Sequence, residues 1–442
     1  MRRKNLFCVA LATLAMASCS NDELVTNAYE ANEAKNNAID FHPMLGWHKL
    51  PGTRAGKEES TAANVVKDLS KVRLSIHNTD GTHYKDELGL IKDGSSWKYE
   101  LEHTTAYWPS NGATLLFYSS NAASGKFNCG HTPSNPGSYP IIKNFTTGEG
   151  GISKFYEVVD KPTANARSLS DLRTEGMFDL VGGLTRATHS KKSENSSESN
   201  PVILHLQHLL SQVEVQADIL QDYKDEYKIY IGGVYIEGVK YSGDFSFGTP
   251  YTSDSIFLPK DAGWTPTNDS PTGYYFRNPE VTGDNLEESV IYANAVQLTT
   301  SAQSIMPKNR NFMIIPQKVS KFSEENTTGA KIGFMIAIYH KAPSEDGQSW
   351  EKFWPLGDTK KATWGLRYVP FAQNFEVGKK YTIKLHFGKG FGDPETQVPD
   401  KPDIVDPNPT EPDISDLPIS FDVEIDGWTN GGNIDNNLDG KS

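Results

Sequence analysis

The sequence predicts an all-β protein built from antiparallel β-sandwiches. Many short segments alternate apolar and polar residues, among them residues 72–76, 97–101 and 213–217, and a period of two is typical of strands with one buried face. Clusters of Gly, Asn, Asp and Pro separate these segments, and long segments with a helical period are missing. Short strands joined by turns favour packed antiparallel sheets over an alternating strand–helix pattern. The best short helix candidates are residues 62–68 and 209–213.

Length and charge narrow the class of protein. The chain has 442 residues and is 37% hydrophobic, enough for real cores in two or three domains. Its net charge of −13 makes nucleic-acid binding a poor expectation, because an acidic chain repels phosphate. Beyond the N-terminus no stretch of about 18 apolar residues occurs, which excludes a polytopic membrane protein.

The N-terminus has the pattern of a bacterial lipoprotein signal. Three basic residues at 2–4 precede a short apolar stretch, and small residues lead to Cys19. This resembles a lipobox, so we expect cleavage between Ser18 and Cys19 and lipidation of Cys19. The alternative is an ordinary secretory signal that is cut nearby. The expected location is therefore the outer membrane, with the lipid as anchor.

Two further features bear on the compartment. The polar residues 20–23 resemble the acidic export signal of surface lipoproteins, and the alternative is a plain tether. The chain has 3 cysteines; once Cys8 is removed with the signal and Cys19 carries lipid, Cys129 has no partner within the chain. The domains must then be held by their cores rather than by disulfides.

Composition shifts divide the chain into six parts. A wholly polar loop at residues 188–200 indicates a boundary between two halves. The predicted parts are a signal peptide (1–18), a tether with the first strand and a candidate cleavage loop (19–55), an N-terminal β-sandwich (56–200), a C-terminal β-sandwich (201–391), an acidic Pro-rich linker (392–418), and a C-terminal strand with its tail (419–442).

The sequence predicts an extended linker near the C-terminus, followed by a single strand. Residues 392–418 contain seven prolines and eight acidic residues, a composition that favours an extended chain. Unbroken alternation follows, with Ile419, Phe421, Val423 and Ile425 on one face. A lone strand must cover its apolar face with something already folded. The groove that receives it lies either on the same molecule or on a neighbour.

Several motifs together resemble the fimbrillin family of Bacteroidota, the FimA/Mfa-like pilus lipoproteins. Each is short, but their order and spacing match along most of residues 38–430. The matching pieces are Ile39-x-Phe41, Thr53-Arg54-Ala55, Ala106-Tyr107-Trp108-Pro109, Leu204-x-Leu206-x-His208, Phe312-x-Ile314-Ile315-Pro316-Gln317 and Val423-x-Ile425-x-x-Trp428.

The resemblance implies a fold and an assembly mechanism. It implies two transthyretin-like β-sandwich domains, with no catalytic residues, no cofactor and no metal. A trypsin-like protease cuts after an arginine, here Arg54 before Ala55, and the first strand with Ile39 and Phe41 leaves. The C-terminal strand of another subunit then fills the vacated groove by β-augmentation. The implied donor residues are Ile419, Phe421, Val423, Ile425 and Trp428. The alternative is an uncut arginine, as in family members that serve as anchors or tips.

Other candidate sites have weaker support. Ser255 lies in a short Asp-Ser-Ile pattern that resembles an O-glycosylation acceptor. His205 and His208 suggest metal ligands, but their odd separation places them on opposite faces of a strand, so we favour structural roles. Paired acidic residues such as Glu287 and Glu288 are solvated faces rather than a glycosidase pair, and no catalytic motif occurs.

Two functions are therefore in competition. The first is a surface-exposed pilus subunit or accessory protein, with other pilus subunits and the outer membrane as partners. The second is a monomeric surface lipoprotein that binds glycans or host glycoproteins. Aromatic residues in predicted loops and strand ends are the residue-level case for the second. They are Trp264, Tyr274, Tyr275, Trp350 and Trp354. Tyr107 and Trp108 suggest a sugar-stacking platform, but we favour core packing at a strand end, which the family pattern supports.

Overall fold

The computed structural model describes residues 37–45, 69–123, 125–128, 139–147, 179–190, 200–248, 258–259, 261–267, 272–277, 295–306, 311–342, 349–354, 365–388, 393–394 and 420–427. Within these ranges the chain forms strands and a single 3₁₀ turn, Glu102–Thr104, and no α-helix. The predicted all-β class is confirmed.

The strands of the first half are short and follow one another closely. They are β1 (Phe41–Leu45), β2 (Lys71–Asn78), β3 (His83–Asp93), β4 (Ser96–Tyr99), β5 (Leu115–Ser120), β6 (Phe127–Asn128), β7 (Ile141–Thr146), β8 (Val181–Ala187), β9 (Val202–His208), β10 (Ser211–Ile219), β11 (Tyr227–Val239), β12 (Ser242–Ser246) and β13 (Gly263–Pro266).

The second half continues the pattern. Its strands are β14 (Thr272–Arg277), β15 (Val296–Gln297), β16 (Gln303–Ser304), β17 (Phe312–Ile314), β18 (Lys318–Val319), β19 (Lys331–Lys341), β20 (Trp350–Trp354), β21 (Gly365–Pro370), β22 (Gln373–Asn374), β23 (Lys379–Phe387), β24 (Asp393–Pro394) and β25 (Ser420–Gly427).

Four main sheets carry the fold. The first, of seven strands, has the order β1-β9-β8-β5-β2-β3-β4, and the second, of four strands, has the order β13-β12-β7-β6. The third has the order β16-β10-β23-β25 with β17 also on β10, and the fourth runs β14-β11-β19-β21-β24 with β15 and β20 at its sides. Most neighbours are antiparallel, as predicted, but β1 lies parallel to β9 and β10 lies parallel to β23.

Three buried clusters hold the sheets together. The first-strand core lies against the first sheet, which contains β1. It includes Ile39, Phe41, Leu74, Leu90, Phe117 and Leu204. The middle core joins that sheet to the four-stranded sheet and includes Tyr118, Phe127, Ile142, Leu209, Phe245 and Met313. The C-terminal core lies between the third and fourth sheets and includes Val213, Ile231, Phe334, Ile383, Leu385 and Phe387.

The sheets take strands from both sides of residue 200. Strand β9 follows that point yet pairs with β8 and β1, and β12 pairs with β7 about a hundred residues earlier. The middle core likewise combines residues from both halves. The boundaries of the two β-sandwich domains stay a prediction.

The short helix expected at residues 209–213 is wrong, while the other candidate, residues 62–68, lies outside the described residues. Leu209 and Leu210 lead directly into β10, which begins at Ser211. The cause is burial on both faces: Leu209 and Leu210 belong to the middle core, whereas Val213 belongs to the C-terminal core. A continuous apolar run of this kind does not distinguish a buried strand from a helix.

Candidate functional site

The first strand, β1, closes an edge of the seven-stranded sheet. It runs parallel to β9, with Phe41 opposite Val202 and Leu45 opposite Leu206. The Val202 amide donates to the Asp40 carbonyl at 2.7 Å. The backbone amide and carbonyl groups of the even-numbered residues therefore point toward β9. Pro43, which lacks an amide hydrogen, therefore points its nitrogen away from the ladder, as an edge strand permits.

The apolar face of the first strand fills a groove. Ile39 is 0% exposed and Phe41 is 6% exposed. The Phe41 ring meets the rings of Phe117 at 5.7 Å and Tyr99 at 5.9 Å, both in edge-to-face arrangement. Burial of two large side chains contributes roughly 3–6 kcal/mol before the cost of ordering the strand.

A hydrogen-bonded clasp holds the start of this segment. The Ile39 amide donates to the Ala106 carbonyl at 2.9 Å, and the Trp108 amide donates to the Asn37 carbonyl at 2.8 Å. The Tyr99 hydroxyl donates to the Ile39 carbonyl at 2.7 Å and accepts from the Ala106 amide at 3.1 Å. Burial in this clasp raises the pKa of the Tyr99 phenol.

An ion pair fixes the strand end that carries Tyr99. The next residue, Glu100, accepts from Arg73 at 2.7 Å and from Lys71 at 3.1 Å. The hydrogen bond from Lys71 is the main cause of the lowered pKa of the Glu100 carboxyl. A Cβ at Gly89 would lie 2.3 Å from Glu100 Oε2 and 2.7 Å from Arg73 Nη1, so a side chain there would displace the ends of this ion pair. Tyr99 is thereby positioned at the mouth of the groove.

The C-terminal strand is docked on its own chain. Strand β25 pairs antiparallel with β23, in an unbroken register from Lys379 opposite Gly427 to His386 opposite Ser420. Of the predicted donor residues, Phe421 and Val423 are partly buried against the C-terminal core, and Ile425 is 54% exposed. The predicted alternation is therefore present, but this face is only partly covered.

The polar face of this strand meets a row of basic residues. Lys384 on β23 pairs with Glu424, and His386 Nε2 lies 3.4 Å from an Asp422 carboxylate oxygen. On its other side, His386 Nδ1 lies 2.9 Å from Asp218 on β10. His386 on β23 thus lies between acidic residues of two neighbouring strands, β10 and β25.

The two histidines lie on opposite faces of β9. His208 is buried, and its Nδ1 lies 2.9 Å from the Asp179 carboxylate. Burial raises the pKa of Asp179, and the nearby His208 opposes this shift. His205 lies on the opposite face of β9 and is partly exposed. Nowhere in the described residues do three or more His, Cys, Asp or Glu side chains gather as a metal site would need.

The aromatic residues considered for glycan binding are mostly packing residues. Trp108 and Trp354 are 4% and 2% exposed. Trp264 packs on the middle core and donates to the Leu209 carbonyl at 2.6 Å. Lys228 covers the Trp350 ring at 4.3 Å. Only Tyr107, at 42% exposed, offers a large open ring among the residues named here; the side chains of Tyr274 and Tyr275 lie outside the described set.

Several predicted sites lie outside the described residues. They are Ser18, Cys19, Arg54, Ala55, Ser255, Ile419 and Trp428, with Cys129 and Glu287-Glu288. Lipidation, cleavage and glycosylation at these positions stay predictions. The part of the chain that the structure describes holds no helix with the length and apolarity of a membrane span.

Tyr99 and Ala106 were missed by sequence reasoning as members of the groove. The alternation at residues 97–101 predicts a strand, but it does not say that its tyrosine meets a carbonyl 60 residues earlier. The same holds for His386 and Asp218, which are 168 residues apart. A tyrosine in a predicted strand is only a weak signal of such a contact. Its hydroxyl usually finds a partner when it is buried, but the sequence does not say which one.

Comparison with solved structures identifies the architecture. A fimbrial protein from Bacteroides vulgatus superimposes with a TM-score of 0.50 at 13% identity, covering 89% of this chain and 100% of that one. A candidate cell adhesion protein from Parabacteroides distasonis gives 0.40 at 10% identity, over 84% and 97% of the two chains. One from Bacteroides ovatus gives 0.37 at 11% identity, over 88% and 97%.

Sequence comparison adds nothing to this result. No protein-family model matches the chain, and no curated protein matches it in sequence. The conclusion on fold rests on the Bacteroides vulgatus structure, whose full length the chain covers. The chain has the fold of a Bacteroides fimbrial protein, as its resemblance to fimbrillins predicts.

Proposed function

We propose that the chain is a surface-exposed, non-enzymatic fimbrial subunit or accessory protein with a role in adhesion. In this proposal Cys19 anchors the precursor in the outer membrane through its lipid. Cleavage between Arg54 and Ala55 frees the first strand, and the C-terminal strand of a neighbouring subunit replaces it. The fold shared with a fimbrial protein supports the class of function, and the two terminal strands support the mechanism.

One observation carries the mechanism: the first and last strands have the same apolar spacing. The first has Ile39, Phe41, Pro43 and Leu45 at alternate positions, and the last has Ile419, Phe421, Val423 and Ile425. Both begin Ile-x-Phe, the pair that fills the groove in the first strand. Alternation determines which side chains face the groove. The shared Ile-x-Phe pair then selects the register that places Phe421 where Phe41 lies.

The groove supports such a replacement chemically. Its ladder partner is the backbone of β9, which accepts any sequence in extended form. The Tyr99 hydroxyl and the Ala106 backbone bind backbone groups of residue 39 rather than its side chain. Selection therefore depends on the apolar side chains alone, and Ile419 with Phe421 reproduces the two that are most buried.

The orientation of the last strand must change in this exchange. Strand β25 runs antiparallel to β23 on its own chain, whereas the first strand runs parallel to β9. The donor strand therefore has to leave its present edge before it enters a neighbour's groove. The acidic linker that the sequence predicts at residues 392–418 gives it the freedom to do so.

Cleavage in place tests the proposal. A chain beginning at Ser20, with a site-specific protease site at Arg54, is purified intact and then cut. We expect the cut chain to form a ladder of polymers and the uncut chain to stay monomeric. A cut chain that ends at residue 418 should not polymerise, but it should bind more of a synthetic peptide of residues 419–428 than the same chain left uncut, whose β23 edge is equally vacant.

A peptide pair supplies the control. Phe421→Ala in the peptide should weaken binding to the cut chain at least tenfold, because it empties the pocket of Phe41. The matched change Asp422→Ala on the opposite face should alter binding by less than threefold. If the cut chain neither polymerises nor binds the peptide, strand exchange at this groove is wrong.

A further inference from the structure

We propose that the edge of β23 is a second strand-binding groove, which takes the C-terminal strand of a second copy of this chain. The inference rests on the proposed function, because the edge opens only when the chain's own β25 leaves to act as a donor. Each assembled subunit then has two strand acceptors, one at β9 and one at β23, but each chain supplies a single C-terminal strand. The strand at β23 therefore comes from a copy whose C-terminal strand does not occupy a β9 groove.

Strand β25 contributes little to the C-terminal core. Among the described residues, the fully buried members of that core all precede residue 388, and the last is Phe387. Strand β25 adds only the partly buried Phe421 and Val423, while Ile425 stays 54% exposed. The sheet can therefore lose this strand and stay folded, with β23 as its new edge.

The edge that is left has the two properties of a strand acceptor. The ladder between Lys379–His386 and the departing strand is unbroken, so a full row of backbone donors and acceptors becomes available. Exposed strand edges of this kind pair readily with another extended chain. The apolar shelf on which Phe421 and Val423 packed is uncovered at the same time.

Charge gives this edge a preference. Lys384 pairs with Glu424 and His386 lies beside Asp422, so two basic side chains face carboxylates spaced two residues apart. Asp218 holds His386 from the far side at 2.9 Å, and Glu214 holds Lys380 at 2.9 Å. These contacts hold the basic side chains of β23 in place along the edge. The fitting ligand is an extended strand with apolar residues alternating with carboxylates, which describes the C-terminal strand of another copy.

Chain length permits exchange between copies. Residues 395–419 separate the described ends at Pro394 and Ser420, and a chain of that length spans at most about 80 Å. A strand can therefore reach a neighbour, but its own edge is also within reach. While the chain's own C-terminal strand is not engaged elsewhere, it occupies the β23 edge in preference to a strand from another copy. The reason is that the linker raises its effective concentration to the millimolar range. Trans binding requires that the edge be vacant.

The test uses the uncut chain, whose first strand still fills the groove at β9. The variant Phe421→Asp/Val423→Asp empties the β23 edge while the rest of the chain is retained. We expect a labelled peptide of residues 419–428 to bind this variant and not the wild-type chain. Hydrogen exchange of the β23 amides should rise in the variant and fall again when the peptide is added.

Charge exchange places the peptide on β23. Lys384→Glu in the acceptor should weaken peptide binding about three- to tenfold, because an attractive pair becomes repulsive. The peptide change Glu424→Lys should restore it. Lys318→Glu, which makes the same change of net charge on β18, should alter binding less than twofold.

The outcomes separate this groove from the proposed function. Absence of peptide binding, or binding that ignores Lys384, overturns the second groove even if cut chains polymerise. Binding at β23 with no polymerisation after cleavage supports the second groove and contradicts the exchange at β9. Protection of β9 rather than β23 on peptide addition also overturns the inference.

Discussion

The first and last strands both lie at sheet edges, but they are held by different forces. The first strand is held by burial, since Ile39 is 0% exposed and Phe41 is 6% exposed. The Tyr99 hydroxyl also donates a hydrogen bond to the backbone carbonyl of Ile39. The last is anchored by length and charge, with a ladder along the whole of β23, ion pairs on its polar face and Ile425 54% exposed.

This difference indicates which strand can leave alone. Removing the first strand opens a cavity in the first-strand core, so its departure calls for a cut and for a replacement of the same shape. Removing the last strand uncovers the surface on which the partly buried Phe421 and Val423 pack, and we expect the C-terminal core to stay folded. The buried first strand is therefore suited to being the strand that a donor replaces. The half-exposed C-terminal strand is suited to being the donor.

The largest expected effect compares the same substitution in both strands. Phe41→Ala should lower the free energy of unfolding by about 3 kcal/mol, because it empties a packed pocket beside Phe117. Phe421→Ala should cost only about 1 kcal/mol, since its ring is partly exposed. Urea unfolding of the two variants measures the difference. Equal losses would contradict the contrast between a buried and a surface-held strand.

The second prediction concerns local opening. Amides of residues 420–427 should exchange with deuterium at least tenfold faster than the amides of β1, after correction for sequence. The reason is that the last strand can detach without exposing a core, whereas the first cannot. Mass spectrometry of the intact chain measures both. Faster exchange in β1 would reverse the assignment of donor and acceptor.

Sequence alone predicted the two terminal strands and their inward faces. Alternation at Ile39-x-Phe41 and from Phe421 to Ile425 is a local property, and the structure has strands at both places. Phe421 and Val423 face the core as predicted, whereas Ile425 is 54% exposed. The neighbours of each strand were not predictable, because a period of two determines faces but not partners. The parallel pairing of β1 with β9 and the meeting of Tyr99 with Ile39 depend on contacts far apart in the chain.

The third prediction tests the clasp of the first strand. Tyr99→Phe keeps the ring against Phe41 but removes the hydroxyl that donates to Ile39 and accepts from Ala106. We expect a loss of about 1–2 kcal/mol in the free energy of unfolding, because buried polar groups lose their partner. Release of the first strand after cleavage should become about tenfold faster. Tyr84→Phe, a tyrosine at the Tyr107 carbonyl, is the control.

The same tyrosine predicts a dependence on alkaline pH. Burial raises the folded pKa of Tyr99, so its contribution is fully present below its unfolded pKa of about 10. It is lost as the pH rises from there toward the folded pKa, by up to about 1.4 kcal/mol per pH unit. The stability difference between wild type and Tyr99→Phe should therefore shrink above about pH 10. A difference that stays constant would place the phenol in water.

The smallest effect tests the charged ladder of the last strand. Lys384→Ala removes the partner of Glu424, a pair whose side chains are 25% and 58% exposed. Because solvent screens such a pair, we expect a loss of only about 0.2–1 kcal/mol in docking of β25, read as faster hydrogen exchange in residues 420–427. Added salt should shrink the loss, since screening acts on exposed charges. The first strand, held by apolar contacts, should show no matching response to salt, and an equal response in β1 would mean that charge does not distinguish the two strands.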